Sequence, residues 1–269
     1  MKNKKILYFH RKKAKGPPHK LEKYGLISYK KSLFTLQEAL HSNKISYGLH
    51  DLMRGLLTQG SITDYPAGEG IDYKYLIKNT LDSNTVKNSL IELSNQIPEN
   101  VDIIFGIQNS GVALANVIGF HMRKRVETIF KTTKENYKNN VDFGVLIDSY
   151  TKGEKNVLSI EPDFFNRYLK NNNHRTLRIA FVDDICDTGT LLCAVTALLK
   201  NASQQLHVKL KIVKLLTLFE RIHTQARKKL KKEIGMGLIS VAKIEDMGQK
   251  PYSWVKIKGI KQALSFENQ

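Results

Sequence analysis

The chain has 269 residues, 41% of them hydrophobic, with a formal net charge of +18 and two cysteines. That composition supports a buried core and excludes global disorder, and Cys186 and Cys193 are too few for a disulfide framework. No run approaches the roughly 18 consecutive apolar residues of a membrane helix. The apolar piece at 6–9 is also shorter than the roughly 7–15-residue core of a signal peptide, so a cytoplasmic protein is expected. The eight histidines show no metal-ligand spacing.

Residues 1–31 carry eleven Lys/Arg against the single acid Glu22 and contain Gly16-Pro17-Pro18, which reads as an irregular basic arm. The charge there is read as solvated surface. Steering of an anionic ligand or contact with nucleic-acid phosphates are its alternatives, and no nucleic-acid-binding motif accompanies it. Apolar positions 33, 36 and 40 have helical spacing, with Thr35 and Glu38 placed as a capping box. Residues 60–70 are rich in Gly, Ser, Thr, Asp and Pro and read as a loop. Residues 32–80 are therefore expected to form a small N-terminal hood, and 81–269 the core.

Asp82 and Ser83 can cap a helix with apolar positions Val86, Leu90, Ile91, Leu93 and Ile97. Residues 101–107 form a short apolar run typical of a buried parallel strand. The turn Gln108-Asn109-Ser110-Gly111 and a small-residue helix over 112–120 follow. A second strand is expected over 126–130. A long polar stretch, 131–173, has β-like pieces at 141–147 and 157–160. A third strand over 177–182 ends in Asp183-Asp184, followed by a turn and a helix over 191–199. A fourth strand over 210–218, a basic helix to about Lys232 and a last strand over 238–244 complete the chain. Strands alternating with helices predict an α/β fold with a mainly parallel sheet flanked by helices.

In open parallel sheets, ligands bind beyond the carboxyl ends of the strands. Asp183-Asp184-Ile185-Cys186-Asp187-Thr188-Gly189-Thr190 joins such a strand end to a helix start, where unpaired N–H groups favour a phosphate. Thr188 and Thr190 add hydroxyls and Gly189 permits close approach. The paired carboxylates suit sugar hydroxyls and a hydrated Mg²⁺ rather than the phosphate itself. This describes a site for a sugar phosphate carrying a metal ion.

Phe181 to Thr190, with its apolar strand, acid pair and Thr-Gly in register, resembles the signature with which type I phosphoribosyltransferases bind 5-phosphoribosyl-1-pyrophosphate (PRPP). The family often ends Thr-Gly-x-Thr or Thr-Gly-x-Ser, whereas here Thr188-Gly189-Thr190 is followed by Leu191. Gly106 to Gly111 is similar to the family's pyrophosphate loop. It also has half of a nucleotide-binding Walker pattern, but Val112-Ala113 stand where Lys-Ser/Thr is required.

The resemblance implies PRPP contacts at Asp183, Asp184, Asp187, Thr188, Gly189, Thr190 and Leu191, with Asp183 and Asp184 near Mg²⁺. It places the pyrophosphate at Gln108, Asn109, Ser110 and Gly111. The order of elements looks most like orotate phosphoribosyltransferase, whose mobile loop corresponds to 130–134. Lys131 and Lys134 keep their spacing there, Phe130 and Thr132 replace an Arg and a Glu, and the usual His-Gly and hood lysine are absent. Asp187-Thr188-Gly189 instead resembles the hypoxanthine-guanine enzymes, in which that Asp exchanges a proton with the base; Asp187 could equally cap the next helix. By resemblance the chain is expected to be a homodimer that transfers ribose 5-phosphate from PRPP to an orotate-like or purine base, with closure of 131–173 excluding water. A non-catalytic PRPP-sensing regulator on the same fold is the alternative.

Overall fold

A computed structural model describes residues 7–8, 41, 46–52, 61–65, 68–72, 84–108, 110–133, 143–148, 155–161, 163–164, 176–221, 224–249 and 252–258. In chain order the strands are β1 (Leu7–Tyr8), β2 (Ser61–Tyr65), β3 (Gly68–Asp72), β4 (Ile103–Ile107), β5 (Arg125–Thr133), β6 (Phe143–Asp148), β7 (Lys155–Ile160), β8 (Leu177–Cys186), β9 (Leu210–Arg221), β10 (Leu238–Gln249) and β11 (Tyr252–Lys258). The helices are α1 (Asn84–Ser94), α2 (Ser110–Met122), α3 (Thr190–Leu206) and α4 (Ala226–Ile234). The chain divides into two compact units. One holds Met1–Glu92, Leu218–His223 and Ser240–Gln269; the other holds Leu93–Thr217 and Thr224–Ile239.

The second unit is organised by a sheet with strand order β9-β8-β4-β5-β7-β6. All five residues of β4 are buried, as expected of a strand covered on both faces. It pairs in parallel with β5, Ile107 opposite Ile129, and with β8, Gly106 opposite Val182. On one face Ile103, Phe105, Ile107, Ile179 and Phe181 join Leu192, Val195, Leu198 and Leu199 of α3 in the main core. The Phe105 ring lies 5.3 Å from Phe164 in an edge-on arrangement and 5.6 Å from Phe181, geometries that aromatic quadrupoles favour. Helix α2 buries Leu114, Ala115, Ile118 and Gly119. A Cβ on Gly119 would meet Val126 Cγ2 at 2.2 Å, so the helix sits on β5 only because that side chain is absent.

Strand β5 outruns β4. Its first part, Arg125–Ile129, is parallel to β4, and its overhang, Phe130–Thr133, pairs antiparallel with β7, which in turn pairs with β6. The sheet is thus parallel at its centre, with an antiparallel hairpin carried on the overhang.

In the first unit, α1 buries Val86 and Leu90. Ser89 Oγ donates to Gly48 O (2.7 Å), and Glu92 accepts from Gly48 N (2.8 Å) and Ser46 Oγ (2.9 Å). These bonds tie residues 46–52 to that helix. Strands β10, β11 and β1 are antiparallel neighbours, and β2 and β3 form a separate hairpin.

Several elements differ from the sequence reading. Residues 60–70, read as a loop, hold most of the β2–β3 hairpin, in which Gly68 and Gly70 take strand positions. Asp183 and Asp184, expected at the strand's end, lie within β8, which continues to Cys186. Strands β9 and β10 run on to Arg221 and Gln249, and β11 follows. Helix α3 extends to Leu206 and ends on His207 at φ 53°, whose N–H donates to Ser203 O. The expected helix near 33–40, the caps Asp82 and Ser83, Asn109, and Lys134 lie outside the described residues.

Candidate functional site

The first wall of the site is the turn from β4 into α2. Gly106 and Gly111 both have steric reasons to be glycine. A Cβ on Gly106 would come within 2.5 Å of Val112 Cα, and one on Gly111 would lie 2.8 Å from Val182 O and 2.9 Å from Asp183 Oδ1. The turn therefore folds flat onto the end of β4 and presses its glycine against the acid pair of β8. Ser110 and Gly111 open α2, where the first N–H groups have no partner within the helix and the positive dipole end favours an anion. Gln108 is committed differently. Its N–H donates to Ile129 O (2.9 Å) and its Oε1 accepts from Lys131 N (2.9 Å). That N–H fastens the turn to β5, so a part for Gln108 in holding pyrophosphate would not run through it.

The second wall is the acid pair. Asp183 is buried and Asp184 half-buried. Asp183 Oδ1 accepts from Asp184 N (2.9 Å), and Asp184 Oδ1 accepts from Ile185 N (2.7 Å). Burial pushes the Asp183 carboxyl well above the usual carboxylate range, the negative charge of Asp184 pushes it further, and the Asp184 N–H and the Lys131 charge pull it part of the way back. Lys131 is thus felt electrostatically at the acid pair, across the same strand ends.

This shift has a consequence for stability. A carboxyl whose folded pKa is raised contributes fully when protonated, below about pH 4, and that contribution is lost as pH rises from there through the folded value. Asp183→Asn mimics the protonated form and keeps the Oδ1 acceptor for Asp184 N. We expect the variant to melt higher than the parent at neutral pH, by about 2–4 °C for each kcal/mol of relieved desolvation, with the gain shrinking as pH falls toward 4. Scanning calorimetry across pH checks this; equal melting temperatures at pH 7 would contradict it.

The third wall is the loop from β8 to α3. Gly189 takes φ +76° and is the N-cap of α3, with no side-chain cap bond. Asp187 therefore does not cap the helix; its carbonyl accepts a hydrogen bond from Thr224 Oγ1. Thr188 Oγ1 donates to Thr190 Oγ1 (2.9 Å). Leu191 follows on the first turn of α3, half-buried against the core.

Helix α4 supports this loop. An added Cβ on Gly189 would sit 3.3 Å from Leu230 Cγ and 3.4 Å from Ala226 O, and Lys229 Nζ donates to Thr190 Oγ1 (2.8 Å). Glu233, one turn on, hydrogen-bonds Cys193, and burial together with that bond pushes the thiol up to about 11, out of reach of ionisation at neutral pH. Sequence reading gave 227–232 as part of a basic helix without telling its faces apart. The spacing 226, 229, 230, one face of a helix, separates its inward residues from the solvated lysines.

Of the residues expected from sequence, the structure gathers Gly111, Lys131, Asp183 and Asp184 around one strand edge, with Asp187 to Leu191 continuing from β8. No cluster of three or more His, Cys, Asp or Glu is present among the described residues.

The arrangement defines a class: an α/β protein whose strand-to-helix turns and carboxylate pair lie toward the carboxyl ends of adjacent parallel strands, the side on which such sheets bind ligands. The chain belongs to the phosphoribosyltransferase family, since the family model described as "Phosphoribosyl transferase domain" matches residues 80–240, more than half of its length. Among solved structures, adenine phosphoribosyltransferase from Rhodothermus marinus is similar over 73% of this chain and 98% of its own, with TM-score 0.52 and 15% identity. The Giardia lamblia enzyme complexed with 9-deazaadenine is similar over 71% and 97%, with TM-score 0.51 and 16% identity. The enzyme from Thermoanaerobacter pseudethanolicus covers 72% and 99%, with TM-score 0.50 and 16% identity. At these identities the likeness concerns the fold. No curated protein matches the sequence. No helix among the described residues is long and apolar enough to cross a membrane.

Proposed function

We propose that the chain transfers ribose 5-phosphate from PRPP to a purine base, releasing pyrophosphate. The observation that carries this reading is the contact of Gly111 with Asp183 and Val182 O, which joins the anion turn of α2 and the acid pair of β8 into one site. In it, Asp183 and Asp184 hold the ribose hydroxyls, and the N-terminal amides of α2 with Lys131 receive the leaving pyrophosphate, whose growing charge they stabilise. The loop Asp187 to Leu191 takes the 5′-phosphate. Asp183 and Asp184 are the residues that would hold a hydrated Mg²⁺, which when bound supplies charge neutralisation for the leaving group. In this reading Asp187 exchanges a proton with a ring nitrogen of the base. Asp187-Thr188-Gly189 and the fold shared with adenine enzymes favour a purine over orotate. A homodimer working in the cytoplasm is part of the same reading, as are the pyrophosphate and catalytic roles that the resemblance implies for Asn109 and Lys134.

A second reading, a PRPP-binding regulator without turnover, is favoured by one feature. Phe130, a half-buried residue, stands where the family's mobile loop has an Arg. Pyrophosphate release from PRPP and Mg²⁺, measured with adenine, hypoxanthine, guanine, orotate and uracil in turn, separates the two. Release with a purine is expected. Release with orotate alone overturns the purine assignment, and PRPP binding without release for any base establishes the regulator.

A further inference from the structure

We propose that Lys229, from the basic helix α4, is a phosphate-binding residue that supplies the positive charge for the 5′-phosphate of the sugar substrate. The inference rests on the phosphoribosyl reading above and adds a residue from outside the strand-end loops to it.

Thr190 is where the helix meets the loop. Its Oγ1 accepts from Thr188 Oγ1 at 2.9 Å and from Lys229 Nζ at 2.8 Å. A hydroxyl oxygen has two acceptor lone pairs and one proton. The Thr190 hydroxyl is exposed, and with Thr188 as donor of the pair its own proton is free for a further acceptor. The hydroxyl stands on the first residue of α3, where the backbone amides also face outward and favour an anion. A phosphomonoester carries about −1.5 to −2 charges at pH 7, more than a helix terminus of roughly half an elementary charge can balance.

Lys229 is the cation held at this place. An ammonium has three donors, and one is used on Thr190. Its position is also enforced rather than incidental. Ala226 and Leu230, on the same face of α4, lie against Gly189, and Thr224 at the start of the helix donates to the Asp187 carbonyl. The helix therefore braces the loop at Asp187, Gly189 and Thr190 and fixes the stem of Lys229 beside it. The neighbouring Glu233 is engaged with Cys193. Arg227, Lys228, Lys231 and Lys232 share the helix, but Lys229 is the member of this run whose ammonium reaches Thr190.

The test is calorimetric titration of ribose 5-phosphate and, separately, of inorganic pyrophosphate into the full chain, with Lys229→Met, Lys229→Gln and Lys229→Arg, each checked for its melting temperature. Removal of a charged hydrogen-bond donor should weaken ribose 5-phosphate by about ten- to a hundredfold in the Met and Gln variants. Pyrophosphate, held at the other wall, should bind as in the parent, and Arg should restore most of the lost affinity. Unchanged ribose 5-phosphate affinity in the Met and Gln variants overturns the role of Lys229 alone. An equal loss for both ligands overturns it too, since it marks a general charge or folding effect. A parent protein that binds neither ligand takes down the phosphoribosyl reading itself, and the Lys229 role with it.

Discussion

Asp183→Asn combined with Asp184→Asn lowers turnover by about a hundredfold or more, the size seen when preorganised transition-state stabilisers are lost. The two carboxylates are the only acidic pair on β8, and the backbone bonds from Asp184 N and Ile185 N hold both in the last part of that strand. Asparagine can keep those acceptor bonds, so the fold should survive. It cannot keep the negative charge that favours the cationic sugar of the transition state and a hydrated metal ion. Steady-state pyrophosphate release is the measurement. A near-normal rate in the double variant would remove Asp183 and Asp184 from the chemistry. The same protein should be no less stable than the parent at neutral pH, because the buried charge of Asp183 is a cost in the absence of ligand. Loss of activity with no loss of melting temperature is the signature of groups held in place for function.

Gly111→Ala is expected to be costly in both respects. Its Cβ would need space 2.8 Å from Val182 O and 2.9 Å from Asp183 Oδ1, and one of those is rigid backbone. Overpacking of this kind costs about 1–3 kcal/mol, or roughly 2–4 °C of melting temperature per kcal/mol. Whatever relief occurs must move the start of α2 away from β8, which separates the anion turn from the acid pair. Pyrophosphate affinity should therefore fall together with stability. Gly237→Ala serves as the control, since nothing lies within 4 Å of its added Cβ. If Gly111→Ala melts and binds like that control, the close approach of the two walls is not needed.

The centre of the fold was legible because its physics is local. The unbroken apolar run of β4 and the run entering β8 announce buried strands, and the small-residue helix between them announces close packing on a sheet. The acid pair and Thr-Gly loop were legible because their residue types are unusual at a strand end. Other features depend on long-range pairing. Gly68 and Gly70 argue for a loop by propensity, yet their strand is set by cross-strand partners Tyr65 and Thr63, the kind of context that overrides β-propensity. That the Gln108 amide is consumed by Ile129 O follows from how β5 lies beside β4, which spacing does not reveal. Lys229 was hidden for a different reason. Five of the six residues at 227–232 are basic, and only the placement of α4 against Gly189 tells which of them points inward.

The row of strands in the second unit ends on β6, the outermost described strand beyond β7. Its sequence, Phe143-Gly144-Val145-Leu146-Ile147-Asp148, has neither proline nor lysine, the residues with which sheet borders commonly discourage self-addition. Leu146 is also about half exposed (49%). Two molecules meeting at this border could extend each other's ladder. What opposes such growth is mutual repulsion between chains of net charge +18. Added electrolyte weakens that repulsion over distances beyond roughly 8–10 Å, so colloidal behaviour in concentrated solution is tied to ionic strength through this border strand.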